Sequence, residues 1–206
     1  MKQILLENVI KTYRFYAPLY DFLFGRVLEP GRKELLKTVA EINPAHILEV
    51  GVGTGLTIER YPHSSHFVGV DVSAAMLEIA QGRADKLTGR NIRLEKMDGE
   101  HMNFPDGSFD CIAVPYVLSV TPDTDKFVAE IRRVCRKGGT ILILNHFSGS
   151  RFWWLLETLV RSLANRIGFR SDFSYEEQIA RHDWEVLSVK EVNLLGLSKL
   201  VTIRNT

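Results

Sequence analysis

Two cysteines in 206 residues, Cys111 and Cys135, are too few to staple a fold, and each lies in or beside an apolar run suited to a small buried side chain. Neither a disulfide nor a cysteine-based metal site is expected. The remaining histidines apart from His146, at His46, His63, His66, His101 and His182, have no metal-site spacing with cysteines or carboxylates. No metal is expected to be needed. The chain has no run approaching the roughly 20 apolar residues of a membrane span. Glu7, Asn8, Lys11 and Thr12 interrupt the stretch where a secretion signal would need a continuous apolar centre, so a cytoplasmic location is expected. Basic residues (26) nearly balance acidic ones (25), and a net charge of +1 excludes the strongly basic field of nonspecific nucleic-acid binders. No internal repeat or low-complexity segment is present.

What is there suits one globular domain over residues 1–206, 45% apolar and 25% charged. From Ala45 onward, short β-branched runs alternate with helical patterns, the signature of βαβ units and a parallel sheet. Strands are expected at Ala45–Val50, His66–Val70, Asn91–Glu95, Phe109–Val114 and Thr140–Asn145. Most of these are apolar enough to be covered on both faces. Two more, Trp184–Val192 and Ser198–Arg204, are joined by a stretch too short for a crossover helix, which requires an antiparallel hairpin. Helices are expected at Gly55–Arg60, Ala74–Leu87 and Asp123–Arg136, the last closed by Gly138-Gly139 as a C-cap. Outside this core lie an N-terminal helical lid (1–40) and an insertion (147–184). In the lid, Leu5, Val9, Tyr13, Tyr16 and Tyr20 share one helical face; in the insertion, Phe152–Phe169 reads as a strongly amphipathic helix.

The segment ILEVGVGTGL places Glu49 at a strand end, then Gly51, Gly53 and Gly55 in a turn that opens a helix. Glycines let the backbone turn sharply and approach a ligand closely. A dinucleotide fingerprint would need its third glycine at position 56, which is Leu56. Glu49 also argues against a pyrophosphate and for a group that is cationic at that end, such as a sulfonium or an amine. Asp71 closes the second strand, 20 residues after Gly51, where a carboxylate can take ribose hydroxyls or serve as a helix cap. Asp98 and Gly99 follow the third strand, where a carboxylate can accept an adenine amino group. Met76 and Met102 could pack on the ring or simply fill the core.

Together E-x-G-x-G-x-G, Asp71, the D-G-E before F-P-D-x-S-F-D and the R-K-G-G turn resemble class I S-adenosylmethionine-dependent methyltransferases over residues 40–145. The resemblance implies an α/β, doubly wound, seven-stranded, mostly parallel sheet with a C-terminal antiparallel hairpin. It implies a cofactor site of Glu49, Gly51, Gly53, Gly55, Asp71, Asp98 and Gly99, with Val72, Met76, Glu100 and Pro115 around it. The acceptor would enter above Pro115-Tyr116 and Asn145-His146-Phe147. An NAD-dependent oxidoreductase is disfavoured by the glycine spacing, and a partner-binding scaffold without turnover stays open.

YRFYAPLYDFLFGRVLEPGR and the NHF after the fifth strand are similar to the soluble bacterial phosphatidylethanolamine N-methyltransferases. A looser Y-x-x-x-A-x-x-Y-D pattern is shared with quinone-biosynthesis methyltransferases, so a quinone precursor or other small apolar acceptor stays open. The phospholipid reading implies Tyr16, Tyr20, Tyr116 and His146 as catalytic residues and Tyr13, Asn145, Arg151 and Arg170 as substrate contacts. His146 could act as a base, bind the lipid phosphate or hold the strand end. Aromatic faces suit a headgroup that becomes a quaternary ammonium. Arg151, Arg161, Arg166 and Arg170 around Phe152, Trp153 and Trp154 suit peripheral binding at the anionic inner face of a membrane. The same helix could instead pack on the sheet or a partner; a monomer is expected.

Overall fold

The computed structural model describes residues 28–146, 179, 181–193 and 196–206. Tyr13, Tyr16, Tyr20, Arg151 and Arg170, with the expected helices over 4–27 and Phe152–Phe169, lie outside the described residues.

Helix α1 (Glu29–Ile42) opens with a proline in its first turn, where a missing N–H costs nothing, and stops at Asn43, which takes the left-handed conformation (φ 46°). It leads into β1 (His46–Val50), followed by β2 (His66–Asp71), helix α2 (Ala74–Ala84), β3 (Ile92–Lys96) and β4 (Phe109–Pro115). Helix α3 (Thr124–Val134), β5 (Cys135–Asn145), β6 (Glu185–Val192) and β7 (Ser198–Arg204) complete the described elements. The seven strands form one sheet in the order β3-β2-β1-β4-β5-β7-β6. Strands β1 to β5 pair in parallel, and β7 pairs antiparallel with both β5 and β6.

Alternating side chains divide the interior into two cores, as the two-residue period of a strand requires. Leu48, Val50, Ile112, Val114, Ile141 and Ile143 face α3 and its buried Phe127, Ile131 and Val134. Ile47, Cys111, Ala113, Leu142 and Leu144 face the other way, toward Leu35, Leu36 and Val39 of α1 and Ala80 of α2. Asp123 caps α3 by accepting the Lys126 N–H (3.3 Å), and Ser73 caps α2 by accepting the Met76 N–H (3.4 Å).

Two expectations are corrected. Gly138-Gly139 do not cap α3: that helix ends at Val134 and the chain passes straight into extended Cys135. The glycines instead sit in a bulge of β5, where Gly138 (φ 71°) donates to the Asn205 carbonyl and Asn205 donates to that of Gly139. The helix expected at Gly55–Arg60 is a single 3-10 turn, Ile58–Arg60. Of the lid expected over residues 1–40, residues 28–40 are described, and there α1 packs Leu35, Leu36 and Val39 against the sheet.

Candidate active site

Chain order reverses between β1 and β4, and a cleft opens above their C-terminal ends, as it does at the switch point of doubly wound sheets. The glycine loop forms its floor, and its three glycines answer to different neighbours. At Gly51 (φ 76°) a Cβ would lie 2.0 Å from Val117 Cγ2. At Gly55 (φ 81°) it would meet Ile58 and the α2 backbone at Ala80, 3.2 Å away. At Gly53 (φ 54°) a Cβ would meet no described residue within 4 Å, and this backbone lines the cleft.

Glu49, at 2% exposure, lines the cleft at its base. The hydroxyl of Thr57 donates to it (2.7 Å), as does that of Tyr61 (2.6 Å). Burial pushes its carboxyl up to about 7, against the pull of those two hydroxyls and of Arg32, and with a small further push from Asp71. Arg32 also lines the cleft, and its Nε lies 3.2 Å from Glu29. Asp71 ends β2 and accepts the amides of Gly53 (2.9 Å) and Ser73 (2.8 Å); burial raises its pKa.

Val72, Met76, Asp98, Gly99 and Pro115 line the same cleft. Asp98 accepts the Glu100 N–H (2.9 Å), which shapes the turn after β3. Glu100 is placed differently from its expected cofactor role: it does not line the cleft, and its carboxylate accepts the Asp123 N–H (2.7 Å) at the start of α3. Met102 is in the core beneath α3.

On the acceptor side, Tyr116 lines the cleft and holds a left-handed backbone (φ 61°) that is unusual for a bulky residue. Its hydroxyl donates to the Leu28 carbonyl (3.2 Å) and accepts from Asn193 Nδ2 (3.0 Å). Asn145 is wholly buried, accepts from Ser119 (3.4 Å) and donates to the His146 carbonyl (3.0 Å), so the strand end occupies the amide expected to touch substrate. His146 does not line the cleft. It stacks on Tyr116 with centroids 4.9 Å apart, and its Nδ1 lies 2.8 Å from Ser198 Oγ. Burial drives its pKa down to about 4, so at neutral pH it is a neutral ring. The ring thus joins the strand end to Tyr116, Ser198 and the Leu197 carbonyl.

The residues fit an adenosyl group bearing a positive sulfur. Gly53 leaves room for it among the described residues, Asp71 offers a carboxylate already organised by amides, and Glu49 and Asp98 bring carboxyl groups to the same cleft. Among the described residues no group of three or more His, Cys, Asp or Glu is placed to hold a metal ion. No described helix is long and apolar enough to cross a membrane.

Glu49 makes a pH prediction. A carboxyl whose folded pKa is raised from 4.5 to about 7 favours the fold most below 4.5, and that contribution is lost as pH rises to and through 7. A cationic ligand reverses the preference, because it binds the carboxylate. S-adenosylmethionine affinity is therefore expected to fall below pH 7, approaching tenfold per pH unit, with proton release on binding near pH 6.5. Calorimetry in buffers of different ionisation enthalpy measures this. An affinity independent of pH between 5.5 and 7.5 would count against the carboxylate-cation pairing.

Residues 48–143 match the family described as a methyltransferase domain. The phosphatidylethanolamine N-methyltransferase of Cereibacter sphaeroides is 35% identical over 198 residues, covering 93% of this chain and 95% of that one. The demethylmenaquinone methyltransferase of Thermotoga maritima is 28% identical, covering 95% and 85%. The crystal structure of the YcgJ protein from Bacillus subtilis superposes with a TM-score of 0.64 at 25% identity, covering 78% of this chain and 71% of that one. With the sheet order, the hairpin and the glycine loop, these similarities establish that the chain belongs to the class I S-adenosylmethionine-dependent methyltransferases.

Proposed function

We propose that the protein methylates the amine of phosphatidylethanolamine and its methylated intermediates, toward phosphatidylcholine. The observation that carries this reading is the similarity to a phosphatidylethanolamine N-methyltransferase across nearly the whole of both chains. It covers 93% of this chain, well beyond the matched methyltransferase domain of residues 48–143. A second reading, methylation of a quinone precursor, is favoured by the equally extended but weaker similarity to a demethylmenaquinone methyltransferase.

S-adenosylmethionine, when bound, supplies a methyl group on a positively charged sulfur. The protein's part in an in-line displacement is alignment of nucleophile and methyl carbon, together with removal of the proton an ammonium must lose. In this reading Asp71 and Asp98 hold the adenosyl group, and Glu49 attracts the positive end. The Tyr116 hydroxyl already donates and accepts, and a His146 ring with a pKa of about 4 is a weak base set back from the cleft. Proton removal then passes to Tyr16 or Tyr20, and the Tyr116 ring is left to face the headgroup. Arg151, Arg161, Arg166 and Arg170 would hold the enzyme at an anionic membrane surface.

The test is incubation with methyl-labelled cofactor and vesicles of phosphatidylethanolamine, anionic phospholipid and demethylmenaquinone. Label is expected in mono-, di- and trimethylated phospholipid. Label confined to the quinone would decide for the second reading.

A further inference from the structure

The turn between β6 and β7 reaches across the sheet to the acceptor side of the cleft and places one carboxamide among three other segments. Asn193 Oδ1 accepts the Gly31 N–H at the start of α1 (2.8 Å). Asn193 Nδ2 lies 3.0 Å from the Tyr116 hydroxyl and 2.7 Å from Ser198 Oγ. Ser198 in turn meets His146, whose ring backs that of Tyr116. Asn193 itself is left-handed (φ 65°), a conformation asparagine tolerates better than most residues. The fit is tight: a Cβ on Gly31 would lie 2.5 Å from the Tyr116 hydroxyl and 3.1 Å from Asn193 Oδ1.

We propose that Asn193 is a positioning residue for methyl transfer, fixing the Tyr116 ring at the acceptor mouth by tying its hydroxyl to α1 and β7. The inference rests on the acceptor entering beside Tyr116, as in the function proposed above. Two features of the geometry support it. The hydroxyl of Tyr116 is engaged by the Leu28 carbonyl as well as by Asn193, so the phenol is held rather than poised to exchange protons. The ring is then the part of Tyr116 offered to the cleft, and its placement depends on a contact 77 residues away in sequence. A ring held in one place can select a headgroup by its face; a swinging one cannot.

The experiment is a double-mutant cycle on Asn193→Ala and Tyr116→Phe, read as kcat and KM on phosphatidylethanolamine vesicles with the dissociation constant of S-adenosylhomocysteine beside them. Each single variant is expected to lose about tenfold in kcat/KM for the acceptor, and the double variant no more than the worse single one, because both remove the same tie. Cofactor affinity is expected to stay within about twofold throughout, a split that general loosening of the fold would not leave intact. Asn193→Asp, which keeps the acceptor for Gly31 but loses the donor, is expected to match Asn193→Ala and covers the case in which the alanine variant folds poorly. Losses that multiply to about a hundredfold in the double variant, an unchanged kcat/KM, or a matching fall in cofactor affinity would overturn the proposal. A wild-type protein that labels no phospholipid would instead count against the phospholipid reading. The same cycle is then read on demethylmenaquinone with the same criteria.

Discussion

Asp71→Ala is expected to weaken S-adenosylhomocysteine binding by about 100- to 10,000-fold, from the loss of roughly two charge-assisted hydrogen bonds at about 1.5–3 kcal/mol each. The carboxylate stands at the end of β2 and accepts the amides of Gly53 and Ser73, with the Val72 amide also acting on it. A carboxylate has about four acceptor positions, so those amides leave capacity for a ribose hydroxyl. They also mean that the ligand meets a group already oriented. Burial disfavours its charge and raises its pKa, and the amides offset only part of that penalty. Alanine removes the anion and releases the loop amides together. Asparagine keeps one acceptor oxygen and is expected to fall between the two. Isothermal titration with S-adenosylhomocysteine, with circular dichroism to confirm the fold, measures the effect. A loss below about fivefold would show that the ribose is held elsewhere.

Gly51→Ala is expected to cost about 2–4 kcal/mol of folding stability, combining an overpacking cost of about 1–3 kcal/mol with about 1 kcal/mol for a left-handed alanine. The added methyl would sit 2.0 Å from Val117 Cγ2, and valine is stiff about its first side-chain torsion, so it cannot swing away cheaply. Val117 lies two residues past the end of β4, which makes the collision one between the floor of the cleft and the segment beside it. The combined variant Gly51→Ala with Val117→Ala separates the two terms. It removes the collision and should recover all but the backbone cost of the Gly51 change, once compared with Val117→Ala alone. Urea denaturation midpoints at constant slope report both. If Val117→Ala recovers nothing, steric conflict is not the cause.

The elements most readable from sequence were those whose signal is local. The strand Ser198–Arg204 has the expected ends, and most others fall within a residue or two, because buried apolar runs bounded by polar turns leave little choice. Gly138-Gly139 misled for a physical reason: a left-handed glycine just after a basic helix end serves equally as a cap or as a strand bulge. The Asn205 contacts that decide the matter come from the far end of the chain. The placement of Glu49, Asp71 and Asp98 on one cleft was legible because the glycine motif is contiguous with the strand ends that present them. Arg32, Tyr61 and Asn193 were not, since their roles arise from tertiary contacts. Tyr61 reaches Glu49 across a 3-10 turn, and Asn193 meets Gly31 across 162 residues. Glu100 shows the opposite failure, in which a residue inside the right motif is turned away to hold the next helix.

The unequal surroundings of the three loop glycines bear on how such a protein could change over time. Gly51 and Gly55 are kept small by the polypeptide itself, whatever the cleft contains, whereas no described residue stands over Gly53. A descendant that gave up its small-molecule partner would thus be free to drift first at position 53, limited there only by its backbone angle. Its outer two glycines would persist as a fossil of the ancestral loop, still required for folding long after the chemistry had gone.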